Sequence, residues 1–276
     1  MERNGRQIAV LLATYNGSKY LAAQLESLFR QTCKDFHLYV RDDGSTDDTL
    51  KIVDDFVRMY PDRITVVREC VSHCGAARSF IRLLRAVDAD YYMFCDQDDI
   101  WHEDKIEKTF ACMRKVEEEV DNGVPVVVST DLRVVDENLA VMKESFNANL
   151  KIDVFRKHPQ MLCVRHVVTG CTMMFNADAK AVSFPMSSLS TMHDEWVALC
   201  TQFNEGKVFV MDEVTVDYRQ HSSNTLGAAT AGRGFFKRAL AREGWKQFFQ
   251  SVRLLHREFG VSFPRFLLYK ILYSWM

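Results

Sequence analysis

Residues 7–32 read QIAVLLATYNGSKYLAAQLESLFRQT, and the change of period inside this stretch decides the fold. Its first part is a continuous apolar run, which suits a parallel strand buried on both faces. From Ser18 the spacing turns helical: Leu21, Leu25 and Leu28 share one face, and Ser18 is the candidate N-cap. The same change then recurs. FHLYVRDD (36–43) reads as a strand, and STDDTLKIVDDFVRMY (45–60) as a helix opened by Ser45 or Thr46 with acids in its first turn. RITVVREC (63–70) and GAARSFIRLLRAVDA (75–89) repeat the pair, and YYMFCDQDD (91–99) is a fourth strand. Strand–helix alternation of this kind predicts an α/β fold, a mostly parallel sheet with helices on both faces.

The second half is less regular. VPVVVST (124–130) and TGCTMMFN (169–176) read as strands, MHDEWVALCTQFNEG (192–206) as a helix ended by Gly206, and KVFVMDEVTVDYRQH (207–221) as a strand or strand pair. GAATAGRG (227–234) is small and free of aromatics, as in a mobile loop. The chain divides into a catalytic part, 1–232, and a basic, aromatic-rich helical tail, 233–276. In the tail Phe235, Phe236, Leu240, Phe248, Phe249, Val252, Leu255 and Phe259 approximate one helical stripe. Such a stripe packs on the domain, forms an oligomer contact, or lies on a membrane surface.

Charge is unevenly spread. The tail has nine Lys/Arg and two Asp/Glu, a net of +7, so the rest of the −2 chain carries −9. A near-neutral total offers no global basic field for nucleic acid. No run of about 20 apolar residues could span a bilayer. The apolar core of the N-terminal stretch is six residues long, shorter than that of a signal peptide, so a cytoplasmic protein is expected, at most at the inner face of the plasma membrane. The eight cysteines include no C-x-x-C pair, and CVSHC (70–74) lacks a second ligand pair for zinc; they read as reduced core thiols.

In an open α/β sheet, ligands bind at the carboxyl ends of the strands. Three polar clusters fall there: ATYNG (13–17), RDDGSTD (41–47) and CDQDD (95–99). A single Asp after a strand caps a helix, but D-x-D-D crowds mutually repelling carboxylates together. A hard divalent cation, Mg²⁺ or Mn²⁺, answers that crowding, since such ions take one or two carboxylates plus substrate phosphates.

In order and spacing, TYNG, QTCKDFHLYVRDDGSTDDT, GAARSF and DQDDIW, followed by GCTMMFN (170–176), HDEW (193–196) and YRQH (218–221), resemble the nucleotide-sugar-dependent glycosyltransferases of family 2, of GT-A fold, and within them a bacterial rhamnosyltransferase-like branch. The resemblance spans residues 7–228. Two departures stand out: His73 where the family has Asn two positions before the glycine, and Glu195 where the branch has the first of two tryptophans after HD.

The resemblance implies a role for each residue. Thr14, Tyr15 and Asn16 bind the donor, with Tyr15 against the nucleobase, and Asp43 accepts from a base N–H. A ring offers a stacking face and a carboxylate selects an imide donor, so the chemistry agrees. Asp42 orders the turn and Gly44 permits it. Arg78 approaches the nucleotide, Asp96 reaches the ribose, and Asp98 or Asp99 holds the metal. His221 is a further contact to metal or diphosphate, Arg219 a phosphate partner, His193 a residue that orients or lines the site, and Trp101 a wall or buried anchor. Asp194, at the start of a helix, is the general base for an inverting transfer. The donor would be a UDP- or dTDP-sugar, with rhamnose as a candidate sugar, and the acceptor a saccharide or lipid-linked hydroxyl in cell-surface polysaccharide synthesis. Residues 222–234 would close over the donor, and an oligomer is compatible with the sequence.

Other functions fit less well. A sugar-phosphate nucleotidyltransferase needs a glycine-rich basic loop after the first strand, and ATYNGSKY has one Gly and one Lys. A dinucleotide oxidoreductase needs G-x-G-x-x-G there, which is missing. A non-catalytic nucleotide-sugar-binding protein would have no need of Asp194.

Overall fold

Nine strands join in one sheet in the computed structural model of the chain, which describes residues 7–150, 152–165, 167–221 and 242–275. The strands are β1 (Ile8–Thr14), β2 (Phe36–Asp42), β3 (Ile64–Val66), β4 (Tyr91–Cys95), β5 (Ile100–Trp101), β6 (Val126–Val135), β7 (Val141–Lys143), β8 (Met173–Asn176) and β9 (Lys207–Arg219). Their order is β3-β2-β1-β4-β8-β6-β9-β5, with β7 on β6. The expected parallel unit is the first half, where β1 pairs in parallel with both β2 and β4, and β2 with β3. Beyond β4 the sheet is mixed: β8 runs antiparallel to β4 and β6, while β6 and β9 are parallel.

The described helices are α1 (Leu21–Phe29), α2 (Thr49–Met59), α3 (Ala76–Ala86), α4 (Lys105–Glu118), α5 (Ile152–Lys157), α6 (Ala177–Val182), α7 (His193–Phe203), α8 (Arg242–Phe259) and α9 (Phe263–Trp275). Strand β1 shows why its sequence is apolar throughout. Ile8, Val10 and Leu12 point into a core shared with α1, α2 and α4, whereas Ala9 and Leu11 point into one shared with α3, α7, α8 and α9. Each such Leu, Ile or Val taken from water contributes about 1.5–3 kcal/mol.

Several local expectations shift. Ser18 does not cap α1, which starts at Leu21; the Ser18 N–H instead donates to Asp47 Oδ2 at 3.0 Å. Helix α2 opens at Thr49 rather than at Ser45 or Thr46, because Asp47 accepts from the Thr49 N–H at 3.0 Å and Ser45 is tied to Asp42. The left-handed residue after α7 is Glu205, with φ 59°, not Gly206. Gly206 is needed for another reason: a Cβ there would lie 2.5 Å from the Pro125 carbonyl oxygen. Residues 207–219 form one strand, not a pair.

Residues 222–241, which include the loop expected to close over the donor and Phe235, Phe236 and Leu240 of the expected stripe, lie outside the described residues. Of the rest, Phe248, Val252, Leu255 and Phe259 pack inward, whereas Phe249 is exposed. Leu254 and Leu255 of α8 and Phe266 and Tyr273 of α9 are buried in the core that holds Trp196, with Phe248, Val252 and Phe259 packed against it. The Phe259 ring stacks on Phe203 at 4.6 Å and lies 5.6 Å from Trp196.

Candidate active site

Parallel pairing puts Thr14 beside Asp42 and Leu12 beside Cys95, so the three polar clusters leave the sheet at one edge. Gly17 and Asn16 then knit the first two clusters together. The Gly17 N–H donates to Thr49 Oγ1 at 2.8 Å, the Asn16 N–H to Ser45 Oγ at 2.8 Å, and Asn16 Oδ1 accepts from the Thr46 N–H at 2.8 Å. Asn16 does this from φ 46°, a conformation that Asn tolerates. Thr14 is 1 % exposed and donates to Asp42 Oδ1 at 2.8 Å, which leaves its side chain no surface for a donor. Thr14 and Asn16 thus shape the loop. Asp42 also accepts from the Gly44 and Ser45 N–H groups, at 3.0 and 2.8 Å, and so orders the turn.

Asp43 sits below this turn, buried. It accepts from Arg41 Nη1 at 3.0 Å, from the Cys74 N–H and thiol at 3.1 Å each, and from the Gly75 N–H at 2.8 Å. Burial alone would raise its proton affinity; the Cys74 and Arg41 bonds outweigh that and hold it below the usual carboxylate range. One lone pair on Oδ2 is left for a ligand. Above it the Tyr15 ring is 48 % exposed, with the His73 ring edge-on at 5.7 Å. His73 adopts φ 57°, the left-handed conformation that suits Asn, and that is the physical meaning of the departure at this position. Gly44, at φ 95°, packs under it: a Cβ would meet the His73 ring at 3.0 Å. Arg78 is exposed in the first turn of α3 and makes no ion pair among the described residues.

The D-Q-D-D loop separates its acids. Strand β5 pairs antiparallel with β9, Ile100 opposite Asp217, and so carries the loop to Arg219 and His221. Asp98 Oδ2 lies 2.9 Å from His221 Nε2, and the His221 ring rests on Tyr20 at 4.8 Å. Asp99 is fully buried. Its Oδ1 accepts from the Arg219 N–H at 3.1 Å, while Oδ2 has no nitrogen or oxygen partner and faces the Cys171 thiol. Arg219 braces the loop, donating from Nε to the Asp98 carbonyl and from Nη1 to the Glu137 carbonyl, each at 2.8 Å. Asp96 is half-buried between the clusters. Burial first, then the charges of Asp98 and Asp194, push its carboxyl up to about 8. Asp99 is pushed well up by burial, Asp98 and Asp96.

Asp194 therefore approaches the same loop, from the first turn of α7. Its Oδ2 accepts from the Gly170 N–H at 2.9 Å and its Oδ1 from the Glu195 N–H at 2.8 Å. His193 does not line the site. Its ring stacks on Phe80 at 4.2 Å and meets Phe94 edge-on at 4.5 Å, and burial lowers its proton affinity, so it is a neutral core residue. Trp101, 1 % exposed, is a buried anchor rather than a wall.

Among comparisons with known proteins, the sequence profile of Glycosyl transferase family 2 matches residues 9–180, more than half of the chain. The chain belongs to glycosyl transferase family 2. It is 27 % identical, over 85 % of its length and 80 % of the relative's, to the dTDP-rhamnosyl transferase RfbG of Shigella flexneri. Its GT-A fold is shared with S. aureus TarS 1–349, solved in complex with UDP-GlcNAc, at a TM-score of 0.59 and 18 % identity over 93 % of this chain and 73 % of that one. It is shared also with the mannosyltransferase PcManGT of Pyrobaculum calidifontis, solved with GDP-Man and Mn²⁺, at a TM-score of 0.57 and 17 % identity over 99 % and 76 %.

In this family 2 chain, four residues of the site had no role assigned from sequence. Gln97 clamps the backbone of Tyr15, accepting from its N–H at 2.9 Å and donating to its carbonyl at 3.0 Å. Arg41, 1 % exposed, carries the charge that fixes Asp43. Gly170 aims Asp194. Lys105 lies fully buried beside Asp99, Cys95 and Cys171, its ammonium over the Trp101 ring at 4.8 Å; burial lowers it to about 8 against the pull of those acidic groups. Buried polar partners of this kind leave no periodic signal, although Gln97 and Gly170 both fall inside motifs quoted above.

Proposed function

We propose that the protein transfers a sugar, with inversion, from a UDP- or dTDP-linked donor to a hydroxyl of a saccharide or lipid-linked acceptor, in cell-surface polysaccharide synthesis. Rhamnose is the favoured sugar, on the similarity to a dTDP-rhamnosyl transferase. The observation that carries the reading is convergence: Asp194, the Asp98–His221 pair and Asp96 meet at the strand edge that also presents Tyr15 and Asp43.

The donor set suits a divalent cation. Asp98 and His221 face one another at 2.9 Å, an oxygen and an imidazole acceptable to Mn²⁺. Burial and the neighbouring acids raise both Asp96 and Asp99, a penalty a cation would relieve, and Asp99 Oδ2 is an unpartnered buried oxygen. When bound, Mn²⁺ or Mg²⁺ would neutralise the diphosphate leaving group. Asp98 and His221 would hold it, with Asp96 toward the ribose and Asp99 beneath.

The residues of the chain do the rest. Tyr15 and Asp43 hold the base, and Arg78 can pair with phosphate. Asp194 takes the proton of the acceptor hydroxyl as that oxygen bonds to the anomeric carbon. The bond from that carbon to the phosphate oxygen breaks, and the nucleoside diphosphate leaves with the electron pair. The Gly170 N–H fixes one oxygen of Asp194, so the carboxylate needs no reorientation. Asp194→Asn should lower kcat about 10²–10⁴-fold and leave donor binding intact. Normal turnover, or a product of retained configuration by NMR, would overturn the assignment, and a wild-type protein that binds donor without turnover is a binding protein instead.

A further inference from the structure

The tail helices bury the stripe that their sequence advertises, yet a second apolar face is left outside. On α9, Phe266 and Tyr273 point into the core at 2 % and 6 % exposure, while Leu268, Ile271 and Leu272 on the other side are 51 %, 61 % and 41 % exposed. Phe263 and, on α8, Phe249 are also open, at 46 % and 53 %. Leu268, Ile271 and Leu272 fall within about 100° of one another on a helix, opposite Phe266 and Tyr273, so these three make one face and are not scattered residues. A helix apolar on two opposite sides has a second partner.

The charge around the face says what that partner is. Residues 242–275 hold six Lys/Arg against two Asp/Glu, a net of +4. Lys246, Arg253, Arg257 and Arg265 are exposed. A second copy meeting this face about a two-fold axis would set +4 against +4. An anionic lipid surface instead complements both the apolar side chains and the net positive charge of the two tail helices, with exposed Arg265 beside the face on α9 itself. No described helix is long and apolar enough to cross a membrane, so contact is with the surface.

We propose that this outer face of α9 seats the protein on an anionic membrane. The inference rests on the transfer reading only for its purpose, which is to meet a lipid-linked acceptor. The geometry suits that purpose: α8 packs through Phe259 on Phe203 and Trp196 of α7, the helix whose first turn carries Asp194. The lipid-facing helices and the base-bearing helix thus share one packed core.

The test is flotation of the full chain with phosphatidylcholine vesicles, with and without about a quarter phosphatidylglycerol. The protein should float with the anionic vesicles and not with the neutral ones. Leu268→Gln, Ile271→Gln and Leu272→Gln together should abolish flotation while the thermal midpoint and nucleotide-sugar binding stay as in wild type, because all three side chains are exposed. Equal flotation of this triple variant would overturn the proposal. So would a wild-type protein that ignores both vesicles, or a wild-type dimer by light scattering that the triple variant makes monomeric. None of these readouts needs turnover, so they stand apart from the fate of Asp194→Asn.

Discussion

Two turns of this chain are crowded with aspartate and are built in opposite ways. Asp42, Asp43 and Asp47 follow β2 and are surrounded by donors: backbone N–H groups of residues 18, 44, 45, 49, 74 and 75, and the Arg41 guanidinium. Asp47 is held down at about 2, its slight burial outweighed by bonds from Thr49 and Ser18. Asp96, Asp98 and Asp99 follow β4 and have fewer donors, the Arg219 N–H on Asp99 and His221 beside Asp98; burial and the neighbouring acids push Asp96 up to about 8 and Asp99 well up. The first turn is a finished structure. The second keeps raised carboxyls and the unpartnered Asp99 Oδ2, and composition alone does not tell the two turns apart.

Metal removal breaks the comparison most sharply. EDTA should abolish transfer and Mn²⁺ or Mg²⁺ restore it, a change of about a thousandfold or more if the cation stabilises the leaving group by several kcal/mol. Asp98→Ala should mimic EDTA and lose Mn²⁺-dependent donor binding by calorimetry, whereas Asp99→Ala should retain part of it, because Asp99 supports the loop from beneath. Full activity of a metal-free preparation would remove the cation from the mechanism.

Stability should then move in opposite directions in the two turns. Asp43→Ala leaves Arg41, 1 % exposed, without its closest acid, and breaking a buried pair costs about 3–5 kcal/mol. Asp99→Asn removes a buried acid with an unpartnered oxygen, so the metal-free protein should melt at the wild-type temperature or higher. Denaturant midpoints without cation decide this; an Asp99→Asn protein as unstable as Asp43→Ala would make the second turn a structural one too.

Much of this was legible in the sequence. The strand–helix alternation specified the parallel half, because a parallel strand buried on both faces reads as a near-continuous apolar run, as β1 does from Ile8 to Ala13. Motif order brought Asp98, His221 and Asp194 to notice although Asp98 and His221 are 123 residues apart. The division of labour was not legible. Whether Asp98 or Asp99 faces the cleft depends on the short pairing of β5 with β9, two residues long and without periodic signal. His193 looked functional beside Asp194 because helical adjacency says nothing of which neighbour meets the aromatic core. The tail stripe was read correctly as apolar, but its angular register, and so the second face, needed coordinates.

The turns should also differ in pH response. A carboxyl held low in the folded state contributes stability above its unfolded value and loses it as pH falls, so Asp47 contributes until pH drops from about 4 toward 2. Asp96 has the opposite sign: it is raised, so its contribution is present below about 4 and is lost as pH rises through about 8. The metal-free protein should therefore melt at lower temperature as pH goes from 5 to 9, and Asp96→Asn should flatten that slope. Binding of Mn²⁺ near neutral pH should release protons, seen as a buffer-dependent heat. A melting temperature that rises over the same range would reverse the sign assigned to Asp96.

The smallest effect tests how the two turns are joined. Gln97 belongs to the second turn by sequence but serves the first in space, pairing its amide with both backbone groups of Tyr15. Gly17 leaves room for it: a Cβ there would lie 2.2 Å from Gln97 Oε1. Removing the amide costs two hydrogen bonds at about 1 kcal/mol each, partly replaced by water because Tyr15 is exposed. The loss should fall on the nucleobase and not on the reacting carbon. Gln97→Ala should thus raise KM for the donor about fivefold to tenfold with kcat nearly unchanged, since uniform binding is removed from ground and transition states alike. Gly17→Ala should do the same by displacing the amide, and combining the two should add little, because both act through one clamp. If Gln97→Ala instead lowers kcat at constant KM, Gln97 acts on the cation loop, and the second turn does its own positioning.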